Sequence, residues 1–583
     1  MLNININGMD VKVEKGSTIL EAANKIGLKI PTLCHIPEIQ KIGACRMCLV
    51  DIEGNPKLQA SCTTPVVDGM IVKTNTKKVR DTRKFVLELI LSDHPTACLT
   101  CERNTRCELQ TLAAELGVDI VPFRGATSSR GKDNDTLQLN YDGSKCIYCK
   151  RCETMCNEVQ TVGAIFSQKR GFDSEVGTPF NLPFKDSVCT GCGQCVLNCP
   201  VGALKDNENI DEVWDAIYNP DKITVIQVAP SVRVTLGEEF GLKPGSIVTG
   251  KIFAAMRRMG FDHIFDTDFA ADLTIMEEGY EFINRVKNGG TLPMITSCSP
   301  GWVNFIETFF PDLLPNLSTC KSPQQMQGAM VKTYFAEKMK LDPKKIVSIS
   351  VMPCTAKKGE AKRPEMGRDG YSDVDIAITT REFAKMIRQS EIDFLNLPDE
   401  GPDDPIGIST GAGLIFGASG GVMEAALRTA LEVIEGHEIK NVDYVGVRGL
   451  KLDGFKEATV STQIDGNPVD VKVAVASGLG NARKLMEKVQ AGEADYHFIE
   501  IMACPGGCIG GGGQPIPTTT EIRKQRIEGI YKGDKDMPIR KSHENPAIQV
   551  LYKEFLGEPN GHKAHELLHT HYTQQKYYEN LKK

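Results

Sequence analysis

The chain begins with alternating apolar and polar residues, a pattern that predicts a β-hairpin. Leu2, Ile4 and Ile6 alternate with asparagines, and an Asn-Gly pair precedes a second alternating run through Val11 and Val13. Asn-Gly between two alternating runs is a strong hairpin signal because both residues accept positive φ. A capping-box pattern over residues 18–21 then predicts the start of a short helix.

Longer apolar periods follow. A helical pattern covers residues 79–91. Beyond residue 210, apolar runs predict strands at 223–228, near 264, and at 294–295, 346–351, 374–378 and 444–447, with helical patterns such as 421–434 between them. Alternating strands and helices predict open α/β sheets with helices on their faces. Functional groups in such folds lie at the carboxyl ends of the strands.

The length and net charge of the chain limit the classes of function that it can have. At 583 residues the chain predicts roughly three to five domains. Its net charge of −7 gives no basic field for nucleic acid. We find no apolar run long enough to cross a membrane and no signal peptide at the start. The sequence therefore predicts a cytoplasmic protein without a nucleic-acid or membrane partner.

The 20 cysteines are the main anomaly of the composition. Cytosolic thiols stay reduced, so cysteine at this density indicates metal binding rather than disulfides. Residues 1–78 contain a long gap, a C-x2-C pair and another gap, an arrangement that resembles plant-type ferredoxins with a 2Fe–2S cluster in a β-grasp fold. A zinc site is the alternative, because zinc accepts the same thiolates. The predicted ligands are Cys34, Cys45, Cys48 and Cys62.

Residues 79–125 place one histidine and three cysteines at ligand spacing: His94, Cys98, Cys101 and Cys107. By ligand type, a zinc site and a His-ligated 4Fe–4S cluster are about equally compatible. The neighbouring cysteine sets favour the iron–sulfur cluster.

Residues 126–209 carry a repeated C-x2-C-x2-C-x3-C run, the second copy followed by proline. This is the bacterial two-cluster ferredoxin pattern, in which the fourth cysteine of each run ligates the other cluster. One 4Fe–4S cluster is predicted on Cys146, Cys149, Cys152 and Cys199, and the other on Cys189, Cys192, Cys195 and Cys156.

Residues 210–583 contain three short cysteine segments: 296–302, 352–360 and 500–515. In the last, Cys504 and Cys508 precede four consecutive glycines. Glycine lets the backbone approach a bulky group, and the absence of a following Lys-Ser or Lys-Thr argues against a phosphate-binding loop. The segment suggests a large inorganic cofactor; a glycine-rich turn with two buried thiols is the alternative.

With these three segments in this order, the sequence resembles the iron-only (FeFe) hydrogenases over essentially its whole length, especially the large monomeric clostridial type. The resemblance implies a multidomain α+β and α/β protein. Its parts would be a β-grasp 2Fe–2S domain (1–78), a His/Cys 4Fe–4S domain (79–125), a two-cluster ferredoxin domain (126–209) and a large α/β H-cluster domain (210–583) that includes a C-terminal segment similar to the family's small subunit. It also implies four accessory clusters, ferredoxin as electron partner, H2 and protons as reactants, maturation proteins for the two-iron unit, and a monomer.

The resemblance further implies residue roles at the H-cluster, a 4Fe–4S cube joined to a two-iron unit with CO, cyanide and a dithiolate bridge. Cys354, Cys504 and Cys508 would ligate the cube, Cys508 bridging to the two-iron unit, and Lys357 would hydrogen-bond a cyanide. The pocket would be lined by Pro230, Ser231, Gln324, Met352, Met502, Gly510, Gly511, Gly512 and Gly513. A proton path would run through Cys298, Glu278, Ser318, Glu281 and Arg285.

Ser299 departs from the family pattern, because the family has there the cysteine that is the fourth cube ligand. A serine is harder to deprotonate than a thiol and matches iron–sulfur ligation less well. Three outcomes are open: Ser299 ligates through oxygen, Cys298 replaces it, or the cluster is labile. Cys320 is expected to be a core thiol, with a rescue ligand as the alternative.

Residues 565–569 also match the zinc-protease motif HExxH, but no third ligand is evident near this polar C-terminal segment, so a protease is not expected. Two other functions stay open. The chain could be the hydrogenase subunit of an NAD(P)-linked complex, although it has no convincing dinucleotide fingerprint. It could instead be a hydrogen-sensing or iron–sulfur assembly protein of the same fold.

Overall fold

The computed structural model describes residues 1–128, 130–464 and 467–577. The chain forms two compact units. The first comprises Met1–Glu158, Gly163–Ser187 and Asn198–Lys205, and the second comprises Val159–Val162, Val188–Leu197 and Asp206–Lys583. No helix among the described residues combines the length and hydrophobicity needed to cross a membrane.

The first unit opens with the predicted hairpin. β1 and β2 pair in antiparallel register with Asn7 and Gly8 at positive φ in the turn, and Thr18 and Glu21 form the predicted capping box. In the first sheet, β1 lies between β2 and β5, and β3 follows β5. The strands are β1 (Leu2–Ile6), β2 (Met9–Val13), β3 (Leu49–Ile52), β4 (Gln59–Ala60), β5 (Ile71–Lys73), β6 (Lys132–Asp133), β7 (Leu139–Asp142), β8 (Phe166–Gln168), β9 (Glu175–Gly177) and β10 (Leu204–Asp206). The helices are α1 (Ile19–Lys25), α2 (Lys77–Ser92), α3 (Glu108–Glu115) and α4 (Arg151–Thr154).

The second unit contains two sheets of mainly parallel strands. One has the order β12-β11-β14-β17 and the other β13-β20-β19-β18, with β18 antiparallel to β19. The strands are β11 (Ile223–Val228), β12 (His263–Asp266), β13 (Met294–Ile295), β14 (Ile346–Met352), β15 (Gly367–Arg368), β16 (Tyr371–Ser372), β17 (Ile376–Thr379), β18 (Lys456–Ile464), β19 (Asn467–Ser477) and β20 (Phe498–Met502). Buried residues such as Phe253, Phe383 and Val473 fill the cores around these sheets.

Helices surround both sheets. They are α5 (Gln194–Asn198), α6 (Ile210–Tyr218), α7 (Thr249–Met259), α8 (Thr267–Asn288), α9 (Pro300–Phe309), α10 (Pro323–Met330), α11 (Ala336–Met339), α12 (Ala356–Glu360), α13 (Thr380–Gln389), α14 (Gly411–Ile415), α15 (Gly421–Glu435), α16 (Leu479–Gln490), α17 (Thr520–Asp536), α18 (Pro546–Leu551) and α19 (His562–Leu568). The predicted multidomain fold with an α/β C-terminal part is confirmed.

One predicted strand is wrong. Residues 444–447 form a short 3-10 turn, Val445–Val447, rather than a strand. Val445 is 66% exposed and Val447 is 2% exposed, so the short apolar run anchors a loop through one side chain. The sequence analysis also missed β18 and β19, although valines alternate with other residues over 469–475 in β19.

Candidate active site

A cavity at the carboxyl ends of strands from both sheets is the candidate active site. The empty space between its walls is about 780 Å³, open solvent included. Four predicted cysteines and Ser299 line it: Cys298, Cys354, Cys504 and Cys508. Cys298 follows β13, Cys354 follows β14 and Cys504 follows β20. β13 and β20 end at the same edge of one sheet, and β14 ends at the carboxyl edge of the other sheet. Both edges border the cavity, and this brings the three distant cysteine segments together.

Residues beside Cys298 and Cys354 set where the helices that follow these cysteines begin. Ser299 is the N-cap of α9, and Pro300 occupies the first helical position, where a missing N–H costs nothing. After β14, Pro353 leads into α12, and the N–H groups of Ala356 and Lys357 face the Cys354 sulfur. Cys354 therefore lies at the positive end of a short helical turn, which favours its thiolate.

Burial opposes ionisation of the thiols in the cavity. It raises the pKa of Cys354 and Cys504, and that of Cys508 to about 12. Nearby cysteines add to the shift for Cys504 and Cys508, whereas Lys357 lowers the pKa of Cys508. Several thiols crowded in a dry cavity are unfavourable as free thiolates, but iron–sulfur ligation deprotonates such thiols. The donor set fits a large iron–sulfur group.

The glycines close to Cys508 pack tightly against other backbone segments. A Cβ on Gly511 would lie 2.2 Å from the Pro353 oxygen, and one on Gly512 would lie 2.4 Å from the Cys192 oxygen. Gly511 lines the cavity, whereas Gly510, Gly512 and Gly513 contact neighbouring segments. The positive φ values lie earlier, at Gly506 and Gly507. The glycine run thus permits close backbone packing around the cysteines.

The other predicted lining residues also reach the cavity: Pro230, Ser231, Gln324, Met352, Met502 and Lys357. Lys357 Nζ donates to the Cys298 carbonyl at 3.1 Å and to Glu360 Oε2 at 2.8 Å. Gln324 Nε2 donates to the same Glu360 oxygen at 2.9 Å. This network holds one ammonium group at the wall of an otherwise mostly uncharged cavity.

Gln514 is a site residue that the sequence analysis missed. Its Nε2 donates to Ser231 Oγ at 3.1 Å and to the Cys508 carbonyl at 3.0 Å, so it joins two walls of the cavity. Its position directly after the four glycines was the available signal. Glu500 was also missed: buried in the middle of β20, it accepts hydrogen bonds from Gly420 N and Met423 N at 2.7 Å.

Ser299 points its hydroxyl toward the cysteine loop after β20. Its Oγ accepts a hydrogen bond from Ala503 N at 3.2 Å. Cys320, considered as a replacement ligand, faces a different direction, with Sγ 3.7 Å from Glu281 Oε2. Cys192 lines the cavity in addition to the predicted residues. A predicted accessory-cluster ligand thus lies at the same cavity as Cys504.

Three of the predicted proton-path residues are joined by hydrogen bonds, whereas both carboxylate oxygens of Glu278 are buried without a hydrogen-bond partner among the described residues. Ser318 Oγ donates to Glu281 Oε2 at 2.8 Å, and Arg285 Nη2 donates to Glu281 Oε1 at 2.6 Å. Burial raises the pKa of Glu278 to about 8, and the Glu281 charge adds to the shift. Burial, followed by the Glu278 charge, raises the pKa of Cys298. Both buried groups therefore hold a proton at neutral pH.

The accessory cysteine sets within the first unit also come together. Cys48 Sγ lies 3.3 Å from Cys62 Sγ, and Leu33 N donates to Cys45 Sγ at 3.4 Å. Hydrogen bonding from Cys34 lowers the pKa of Cys45 to about 6. Burial, followed by the charge of nearby Cys199, raises the pKa of Cys149. The predicted set containing Cys156, Cys189, Cys192 and Cys195 spans both units and stays a prediction.

The predicted His/Cys set encloses a cavity of its own, of about 450 Å³, lined by His94, Cys98, Cys101 and Cys107. His94 Nδ1 is buried without a hydrogen-bond partner among the described residues. Burial lowers the pKa of His94, so the ring is neutral, which is the form that ligates metal. The donor set therefore fits a metal centre.

Comparison with known proteins identifies the class. Residues 222–512 match the family described as iron only hydrogenase large subunit, C-terminal domain, and residues 520–575 match the iron hydrogenase small subunit. Residues 1–77 match a 2Fe-2S iron-sulfur cluster binding domain, 83–122 the NADH-ubiquinone oxidoreductase-G iron-sulfur binding region, and 145–203 a 4Fe-4S dicluster domain.

Two relatives match nearly the whole chain, and a solved structure matches about two thirds of it. The NADP-reducing hydrogenase subunit HndD of Solidesulfovibrio fructosivorans is 52% identical over 98% of this chain and 99% of its own. Iron hydrogenase 1 of Clostridium pasteurianum is 41% identical over 98% of this chain and 100% of its own. A solved structure of a variant of apo [FeFe]-hydrogenase HydA1 from Chlamydomonas reinhardtii has a TM-score of 0.57 and 44% identity, covering 63% of this chain and 98% of that one.

The chain belongs to the iron-only (FeFe) hydrogenase family. It is a hydrogenase, an oxidoreductase that carries iron–sulfur clusters and an H-cluster.

Proposed function

We propose that the chain catalyses the reversible reduction of protons to H2 at an H-cluster bound in the candidate active-site cavity. The observation that carries the proposal is the convergence of Cys298, Ser299, Cys354, Cys504 and Cys508 on that cavity. When bound, the H-cluster supplies the iron centre at which electrons, protons and H2 are exchanged. Cys354, Cys504 and Cys508 would hold it, and Ser299 Oγ would take the position of the fourth cube ligand.

The chain's own residues prepare this centre for proton exchange. Lys357 supplies the ammonium group for a cyanide ligand, and its bond to Glu360 fixes where the group points. Cys298 Sγ carries the proton nearest the cavity, and Glu278 resupplies it because burial keeps that carboxyl protonated near neutral pH. Ser318, Glu281 and Arg285 continue the path along their hydrogen bonds.

Electrons reach the cavity through accessory clusters. We propose one 2Fe–2S cluster and three 4Fe–4S clusters, one ligated by His94, in four modules bounded at residues 78, 125 and 209. Cys192 lies at the cavity wall, which supports a last transfer step from the ferredoxin-like module. Reduced ferredoxin is the proposed electron donor, and the enzyme is proposed to work as a cytoplasmic monomer.

A second candidate is the hydrogenase subunit of an NADP-reducing complex. The 52% identity with the NADP-reducing hydrogenase subunit over nearly both whole chains favours it. In that case flavoprotein subunits would take electrons from this chain and reduce NADP⁺. The catalytic cavity would be the same, but the partner at the accessory clusters would differ.

Infrared spectroscopy of the anaerobically matured protein tests the catalytic proposal. Metal-bound CO and cyanide absorb where ordinary iron–sulfur clusters are silent, so sharp bands in that region are expected. Absence of bands, after maturation of a control hydrogenase in the same preparation, would contradict an H-cluster at this site.

Electron-donor assays separate the two partners. The purified chain is expected to evolve H2 from reduced ferredoxin without other subunits. If it instead reacts only with artificial dyes, and H2-dependent NADP⁺ reduction requires co-purified flavoprotein subunits, the NADP-linked assignment replaces the ferredoxin assignment.

A further inference from the structure

A second group of metal-ligating side chains lies at the outer end of the proposed proton path. One donor atom each of Glu281, Cys320 and His569 lies within 4.8 Å of the other two. Cys320 and His569 are buried, with 0% and 7% exposure. The three residues come from α8, the connection between α9 and α10, and the residue directly after α19, so the tertiary fold alone brings them together.

The backbone fixes the positions of two of these donors. Cys320 and His569 face each other in an isolated antiparallel bridge. On either side of it, Lys321 N donates to the Leu568 oxygen and Thr570 N donates to the Thr319 oxygen, both at 2.7 Å. A thiol and an imidazole held on two hydrogen-bonded segments are preorganised ligands.

One ring nitrogen of His569 is hydrogen-bonded to a carboxylate, as is usual for histidines that bind a metal through the other ring nitrogen. Its Nε2 lies 3.0 Å from Glu277 Oε2, and that carboxylate is itself held by Asn560 N at 2.8 Å and by the Tyr552 hydroxyl. A carboxylate at Nε2 favours the proton there and leaves the lone pair on Nδ1. Nδ1 lies 2.7 Å from Thr319 Oγ1, a neutral hydroxyl that a cation could displace.

The types of donor atom at this site favour zinc over other metal ions. Thiolate, imidazole and carboxylate are the ligands that zinc prefers, and three protein ligands leave one position for water. Glu277 and Glu281 supply negative charge, and Arg285, paired with Glu281 at 2.6 Å, is the opposing cation. The hard cations Ca²⁺ and Mg²⁺ bind oxygen ligands rather than sulfur.

We propose that Glu281, Cys320 Sγ and His569 Nδ1 bind a zinc ion, and that bound zinc inhibits hydrogen turnover. On binding, the Cys320 thiol releases its proton to solvent as the zinc–sulfur bond forms, with no change in oxidation state. The ion takes the carboxylate that Ser318 Oγ and Arg285 otherwise share, which breaks the proton path at Glu281. The inhibition rests on the proposed function, whereas the binding site does not.

Zinc X-ray absorption of the matured holoenzyme tests the site, because iron clusters do not contribute at the zinc edge. After addition of one equivalent of zinc sulfate and gel filtration, one sulfur scatterer at about 2.3 Å is expected. Cys320→Ser should remove the sulfur scatterer. His569→Gln should weaken zinc binding about tenfold or more. His562→Gln, an exposed histidine on the same helix, is the matched control and should bind as wild type.

Zinc titration of H2 evolution from reduced methyl viologen tests the inhibition. Wild type and His562→Gln should show saturable inhibition that EDTA reverses. Cys320→Ser and His569→Gln should keep the basal rate and need about tenfold more zinc for the same inhibition. Infrared bands identical to wild type verify that each variant is folded and matured, and Cys320→Ser carries the test if His569→Gln fails to fold.

Each outcome decides a separate point. Equal inhibition in all variants, or bound zinc without a sulfur ligand, overturns the proposal. Irreversible loss of activity with release of iron in every variant identifies attack on the clusters and also overturns it. Zinc bound through Cys320 that leaves turnover unchanged confirms the site but overturns the inhibition and Glu281 as an obligatory step of the proton path.

Discussion

Ser299 stands where the resemblance to the family implies a cysteine as the fourth cube ligand. Its hydroxyl faces the cysteine loop and accepts the Ala503 N–H at 3.2 Å, a position suited to a cluster ligand. Oxygen is a harder donor than sulfur and a serine hydroxyl loses its proton less readily than a thiol. The fourth ligand position is therefore the weak point of this site.

Ser299→Cys should strengthen the cluster, because a thiolate replaces a poor ligand in an unchanged cavity. We expect iron loss from the matured protein to slow by roughly one order of magnitude, together with a rise in H2 turnover. Iron content against time and the electron paramagnetic resonance of the reduced cube measure the effect. Ser461→Cys, which adds an exposed thiol on β18, should change neither property. Faster iron loss in Ser299→Cys would contradict the assignment.

Glu278 sets a pH limit on the proton path. Its pKa is raised to about 8, first by burial and then by the Glu281 charge, so the carboxyl is protonated below that pH and ionised above it. Because Glu278 resupplies Cys298 with protons, H2 evolution should fall as pH rises through about 8. Initial rates across that range, with artificial donor in excess, measure this limb of the profile.

Glu278→Gln should lower H2 evolution about a hundredfold or more, since an amide cannot pass a proton on. The residual activity of this variant should no longer decline near pH 8. Glu278→Asp, which keeps a titratable group, should retain more activity than the amide. Turnover close to wild type in Glu278→Gln, with normal infrared bands, would exclude this residue from the path.

Among the elements, the ends of β13, β14 and β20 build the site. Each strand delivers a cysteine segment to the cavity, and the glycine run after Cys508 lets these segments pack without side chains between them. Gly511 is the tightest of these contacts that also lines the cavity, since its Cβ would lie 2.2 Å from the Pro353 oxygen.

Gly511→Ala should therefore displace the segment that carries Cys354 or the one that carries Cys508. We expect loss of most H2 turnover and weakened or absent infrared bands, with the accessory clusters still present by electron paramagnetic resonance. Gly446→Ala, where a Cβ meets nothing within 4 Å, is the matched control and should behave as wild type. Full activity in Gly511→Ala would show that the backbone contact can relax.

For the whole molecule, the accessory cysteine sets must deliver electrons from a partner to one buried centre. His94→Ala removes one proposed ligand and should abolish the signal of one 4Fe–4S cluster in the reduced protein. The other cluster signals should persist. His562→Ala, at an exposed position, is the control. An unchanged spectrum in His94→Ala would show that His94 is not a ligand, and the Cys98, Cys101 and Cys107 set would need another fourth donor.

Local chemistry made much of this protein predictable. The hairpin around Asn7 and Gly8 and the capping box at Thr18 depend on short-range backbone preferences, and both were found. Cysteine spacing predicted the accessory sets because a ligand loop must close around its cluster within a few residues. The predicted strand at 444–447 was wrong because a run of four apolar residues is equally compatible with a strand and with a loop anchored by one buried side chain.

By itself, the sequence determined the class of chemistry: the spacing of the cysteine runs indicated iron–sulfur ligation, and the resemblance of the three catalytic segments to the FeFe hydrogenases indicated a hydrogenase. The tertiary structure decided which other residues those segments contact. It brought Gln514 between Ser231 and Cys508, placed Cys192 at the cavity wall, turned Cys320 away from Ser299 and set His569 beside Glu281. Such contacts join residues far apart in the chain, and only the packing of strands and helices sets their distances.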